Sequence, residues 1–88
     1  MDPVKVLQRA YQDELLDALR AEGAAQGVPY PHVRALLLEV ARRERAHAEA
    51  LAEALRRRGA PLPPTQKPEE GGWETLLRLL SEEGLDRA

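Results

Sequence analysis

The chain has no cysteine, phenylalanine, isoleucine or asparagine among its 88 residues. Without cysteine there is no disulfide framework, thiolate zinc site, iron–sulfur cluster or thiol redox pair. Five valines and two threonines are its only β-branched residues, and aromatic residues make up 3% of the chain, so a sheet has little to be built from. An excess of one charge is also lacking. The 13 basic and 15 acidic side chains leave a formal charge of −2, which argues against nucleic acid as a main partner. No apolar run approaches the roughly 18 residues of a membrane span, and the N-terminus carries no signal-peptide pattern. The expected setting is therefore the cytoplasm, with no membrane partner. A chain of this length suits one small domain with a modest core, and such domains often gain stability by self-association.

What is abundant is alanine (14) and leucine (15), together a third of the chain, and both favour helices. The expected fold class is all-α. Asp2-Pro3 is a helix start: the carboxylate can cap free N–H groups, and proline fits the first helical position. This helix is predicted to run to about Ala25. Gly27-Val28-Pro29-Tyr30-Pro31 then interrupts it, because each proline pushes the residue before it out of the α region. A second helix is predicted from about His32 to Arg58, about 40 Å at ~1.5 Å per residue. Arg56, Arg57 and Arg58 suit its negative end, and Gly59 its left-handed cap. Residues 1–59 thus read as a long antiparallel hairpin. Residues 60–72, rich in Pro and Gly, read as a linker or extended crossover. Residues 73–88 read as a short amphipathic helix, with Trp73, Leu76, Leu77 and Leu80 on one face.

The chemistry lies in the apolar seams. In the second helix the heptad positions hold Val33, Leu37, Val40, Glu44, His47, Leu51 and Ala54. In the first they hold Val4, Leu7, Tyr11, Glu14, Ala18 and Ala21. A carboxylate therefore sits at the centre of each stripe, and His47 lies one turn after Glu44. Counting from position 29, Glu14 lies 15 residues before the turn and Glu44 15 after it, so the two fall at one height. Burying such groups without a partner costs several kcal/mol, on the order of a lost buried ion pair. A divalent cation would compensate, because carboxylate oxygens and a neutral imidazole suit iron, manganese or zinc. In four-helix di-metal proteins the recurring set is one Glu from each of two helices and Glu-x-x-His from each of the other two. Here Glu44-Arg45-Ala46-His47 and Glu14 make up half of that set.

The stretch from Leu7 to Leu55 resembles the ferritin-like superfamily, in particular half of a rubrerythrin- or bacterioferritin-type bundle. It is also similar in length and spacing to the short encapsulated ferritins. The resemblance implies metal ligands at Glu14 (terminal or bridging carboxylate), Glu44 (bridging carboxylate) and His47 (imidazole). It further implies a di-iron centre, with Mn or Zn as alternatives, and a ferroxidase or peroxide-reducing activity with O₂ or peroxide. Many members carry a Tyr about two turns after the first-helix Glu, where this chain has Ala21. Tyr11, one turn before Glu14, is a candidate for that supporting place. Three ligands do not fill a two-metal site. A homodimer pairing two hairpins into a four-helix bundle would complete it. The other source considered is a truncated second repeat in residues 73–88, with Glu83 as its carboxylate.

The competing reading is a non-catalytic helical dimerisation or scaffold module. In it Glu44 and His47 set helix register, and Arg34, Arg43 or Arg45 neutralise them. A third reading is a redox-silent Zn or Ca site that serves structure alone. His32 is expected at a surface turn, Glu39 at a solvated or edge position, Asp17 and Glu22 as exposed helix charges, and Trp73 as an anchor for the third helix.

Overall fold

The computed structural model describes residues 2–68 and 81–82. Two helices account for most of them, α1 (Pro3–Gly27) and α2 (Pro31–Arg57), packed against each other along their lengths. Among the described residues there is no strand. None of the described helices is long and apolar enough to cross a membrane.

Each helix starts and stops where its sequence provides the chemistry. Asp2 caps α1, its carboxylate accepting from the Val4 backbone N–H at 2.9 Å, and Pro3 opens the first turn. Val28, ahead of Pro29, is extended and ends α1 two residues beyond the predicted Ala25. Pro31 then opens α2, one residue earlier than predicted, and the last helical residue is Arg57. Arg34 donates from Nη2 to the Val28 carbonyl at 2.9 Å, which fastens the short turn onto α2. At the far end Gly59 adopts φ 66°, as the cap requires. Its N–H reaches the Arg56 carbonyl at 3.0 Å, and that of Ala60 reaches the Leu55 carbonyl at 3.0 Å. These paired bonds form a Schellman stop, and a side chain at position 59 would oppose it.

The core between the helices is narrow and made largely of methyl groups. Its buried apolar residues are Ala18, Ala21 and Ala25 of α1 and Leu37, Val40, Ala41, Ala48, Ala52 and Leu55 of α2, with Ala21 against Val40 and Ala41 and Ala25 against Leu37. Leu37, Leu55 and Val40 are the largest fully buried side chains, each stabilising the fold by about 1.5–3 kcal/mol. Up to Glu44 the observed stripe of α2 follows the predicted heptads. Beyond it the stripe moves on by one residue: Ala48, Ala52 and Leu55 are buried, Leu51 and Ala54 half-buried, and His47 exposed. A straight helix turns ~100° per residue, so a strict 3.5-residue pattern drifts off its face over several turns.

Residues 60–68 have no regular structure and return beside α1. Gln8 Nε2 donates to the Pro61 carbonyl at 3.0 Å, and Gln12 Nε2 to that of Pro64 at 3.2 Å. The strap therefore runs in the same direction as α1. Of the predicted third helix, Ser81 and Glu82 are helical. Trp73, Leu76, Leu77, Leu80 and Glu83 lie outside the described residues.

Candidate metal centre

Glu14 stands near the middle of α1, and Glu44 and His47 stand on α2. Because residues 28–30 alone separate the helices, residues equally far from the turn face each other. The fold brings the three side chains together, with one ligand atom from each inside a mutual distance of 4.8 Å. His47 Nδ1 lies 3.5 Å from Glu14 Oε2 and 3.8 Å from Glu44 Oε1.

Their burial is graded. The side chain of Glu44 is 9% exposed, that of Glu14 31% and that of His47 56%. His47 thus stands at the rim of the helix interface rather than in the seam where the heptad count put it. The inward place is taken by Ala48, whose methyl fits between close-packed helices as an imidazole would not. The set therefore has a closed floor at Glu44 and an open edge at His47.

Glu14 Oε2 is buried and accepts no hydrogen bond. A buried acceptor left without a donor costs about 1–3 kcal/mol, and more when it is charged. Two of the three arginines considered as counter-charges are committed elsewhere. Arg34 serves the turn at Val28, and Arg45 donates from Nε and Nη2 to the two carboxylate oxygens of Glu22 at 2.8 and 2.6 Å. Arg43 donates to Glu39 at 3.2 Å. An orphaned carboxylate oxygen beside a second carboxylate and an imidazole is a donor set of the kind that holds a divalent cation. The residues present fit such an ion.

The surrounding charges are mostly paired. Glu39, half-buried, is held down from 4.5 to about 2, first by the hydrogen bond from Arg42 and then by Arg43. The Glu22 carboxyl is lowered by its hydrogen bond to Arg45, and the Arg45 guanidinium is raised by the same bond. Glu22 was expected as an exposed helix charge. It is instead half-buried in a bridge between the helices. Counting from the turn could not have found this pair, since Glu22 lies seven residues before position 29 and Arg45 sixteen after it. The length of the arginine side chain bridges the difference in height. Asp17, also expected to be exposed, is 18% exposed and accepts from Arg20 at 3.2 Å. His32 is exposed, as expected.

Tyr11 is half-buried one turn before Glu14, and its hydroxyl does not donate to Glu14 Oε2. Ala21 is fully buried against Val40 and Ala41. A tyrosine ring there would have to push the helices apart, which accounts for the absence of the aromatic at that position.

The family model for Rubrerythrin matches residues 5–75, which include nearly all of α1, the turn, α2, and Glu14, Glu44 and His47. No curated protein and no solved structure matches the chain. With an all-helical hairpin and a Glu/His group able to hold a metal, the chain belongs to the rubrerythrin family, within the ferritin-like superfamily.

Proposed function

We propose that the protein is a ferritin-like di-metal carboxylate protein that binds ferrous iron and oxidises it with O₂ or peroxide. The observation that carries this reading is the convergence of Glu14, Glu44 and His47 with Glu14 Oε2 buried and without a hydrogen bond. Three donors are half of a two-metal set. A second copy of the hairpin would bring another Glu14 and another Glu44-Arg45-Ala46-His47, completing the recurring arrangement of lone Glu and Glu-x-x-His helices. The open edge at His47 leaves a side from which a second hairpin can approach. At ~100° per residue, Gln8 and Gln12, which hold the strap, project about 120° and 160° around α1 from Glu14. Their rotation is in the same sense as that of Glu22, which meets Arg45 on one flank of the hairpin. His47 projects to the opposite flank of α2, so the strap does not cover the donors.

In this reading Glu44, the most enclosed donor, and Glu14 would supply the carboxylates that hold the metals, and His47 would supply the imidazole. The chemistry a bound iron pair supplies is two-electron reduction of O₂ or peroxide, one electron from each ferrous ion. The chain's own part is to present His47 with Nδ1 facing both carboxylates. It also directs Glu14 and Glu44 at one point, with Glu44 buried in the helix interface. Manganese or zinc would be held by the same donors without this oxidation.

The test is to strip the purified protein of metal, add ferrous iron in air and follow ferric absorbance, alongside metal content. Metal retention and iron oxidation faster than in buffer are expected. Wild-type protein that does neither ends this reading. If Glu14→Ala and His47→Ala then change only stability or oligomeric state, the scaffold function takes its place.

A further inference from the structure

We infer that Glu22 and Arg45 are positioning residues for the donor set: their bridge across the hairpin seats α2 on α1 so that Glu44 and His47 meet Glu14. This rests on the reading of those three residues as metal donors. Arg45 directly follows Glu44, and it grips both oxygens of Glu22 with two nitrogens at 2.8 and 2.6 Å. At ~100° per residue, Arg45 projects about 100° to one side of Glu44, and His47 about 60° to the other. Helix α2 is thus held from both flanks. Arg45 is held by Glu22, His47 lies against Glu14, and Glu44 is buried between them.

The apolar contact does not supply this seating by itself. Six of its nine buried hydrophobic residues are alanines: Ala18, Ala21, Ala25, Ala41, Ala48 and Ala52. Methyl groups of one size offer few knobs and holes, so one helix can roll on the other at little cost in packing. Polar pairs are what specify register where apolar packing is permissive. The turn fixes the helices near residues 28–30, and Glu14 and Glu44 lie about 22 Å along the axis from it at ~1.5 Å per residue. Glu22 lies between the turn and that height, and Arg45, one residue beyond Glu44, reaches back toward the turn to meet it. A bidentate guanidinium–carboxylate contact is directional as well as attractive, so it resists roll as a single ion contact does not. Its half-exposed position makes it a weak source of overall stability. Its effect therefore belongs in the geometry of the donors rather than in the melting temperature.

The experiment compares the full-length protein with Glu22→Ala, Arg45→Ala, the exchanged pair Glu22→Arg/Arg45→Glu, and Arg56→Ala as a control whose partners Glu49 and Glu53 lie within α2. Zn²⁺ affinity is read by competition with a chromophoric chelator, and melting is read without metal. Each single alanine variant is expected to bind Zn²⁺ roughly 10- to 100-fold more weakly, the range found when groups that orient metal ligands are removed. The exchanged pair is expected to regain most of that loss, and Arg56→Ala to match the wild type. A second readout needs no metal: spin labels on cysteines introduced at exposed Arg9 and Ala35, in a chain with no native cysteine, diluted into unlabelled protein. Glu22→Ala should shift or broaden the distance distribution, and the exchanged pair should restore it. Folded single variants with wild-type affinity and an unchanged distance overturn the inference, as does an exchanged pair that folds without recovering either. If wild-type protein holds no Zn²⁺, the metal reading fails, and the spin-label distances alone decide whether the bridge seats α2.

Discussion

Replacing Glu14 by glutamine should make the metal-free protein more stable and the metal-loaded protein less so. Glu14 Oε2 is buried without a hydrogen bond, close to the Glu44 carboxylate, whose side chain is 9% exposed. A buried acceptor without a hydrogen bond costs about 1–3 kcal/mol, and because the Glu14 side chain is 31% exposed the lower end applies, about 1 kcal/mol. Glutamine keeps the shape, removes the charge and adds an N–H₂ that can donate toward Glu44 or His47. In a domain of this size, a gain of about 1 kcal/mol raises the melting temperature by roughly 4–8 °C. With metal the order reverses. A ligand at 100 times its Kd stabilises the wild type by about 2.7 kcal/mol, a gain the variant with one fewer anionic donor does not receive in full. The assay is thermal unfolding by far-UV circular dichroism at one fixed protein concentration, in excess chelator and then in excess Zn²⁺. A Glu14→Gln protein that melts below the wild type in chelator would refute the reasoning, because the buried carboxylate would then be stabilising without a cation.

Three further outcomes follow from other residues. His47→Ala removes a half-exposed ring, so metal-free stability should change by no more than about 0.5 kcal/mol. Its Zn²⁺ affinity, measured by chelator competition, should fall by at least about tenfold. Leu37→Ala opens the packing against Ala25 and should cost about 2–5 kcal/mol, read as a lower denaturation midpoint. Glu39 is held down to about 2 in the folded chain by Arg42 and then Arg43, against 4.5 ordinarily. A lowered folded value means that its pairing contributes fully above pH 4.5 and is lost as the pH falls toward about 2. Carboxyl-carbon NMR should therefore place its native midpoint near 2, moving toward 4.5 in Arg42→Ala; a wild-type midpoint near 4.5 contradicts the pairing.

Much of the fold was legible because the deciding residues act locally. Asp2-Pro3, the two prolines around Tyr30 and Gly59 each dictate a backbone event within a few residues, and helix ends follow such events closely. The common height of Glu14 and Glu44 was legible for a related reason: a short turn makes counting outward from it a measure of position along both helices. The rim position of His47 was not legible. It depends on whether α2 keeps a 3.5-residue repeat or a straight 3.6-residue one, and alanine at position 48 favours the straight helix. The Glu22–Arg45 bridge was hidden because it joins residues at different heights, and the reach of a side chain leaves no mark in periodicity. The prolines of residues 60–72 rule out a continued helix but leave a linker and an extended crossover equally open. The strap's path along Gln8 and Gln12 depends on carbonyl acceptors whose positions no residue pattern encodes.

The most direct measurement is the mass and metal content of wild-type protein loaded with Fe²⁺ without air, passed through gel filtration and read by native mass spectrometry, beside Glu44→Gln. The account predicts a pair of chains carrying about one iron per chain, as a two-hairpin carboxylate bundle requires, and little or no iron on the variant. Metal-free single chains, or iron retained equally by wild type and Glu44→Gln, would contradict it.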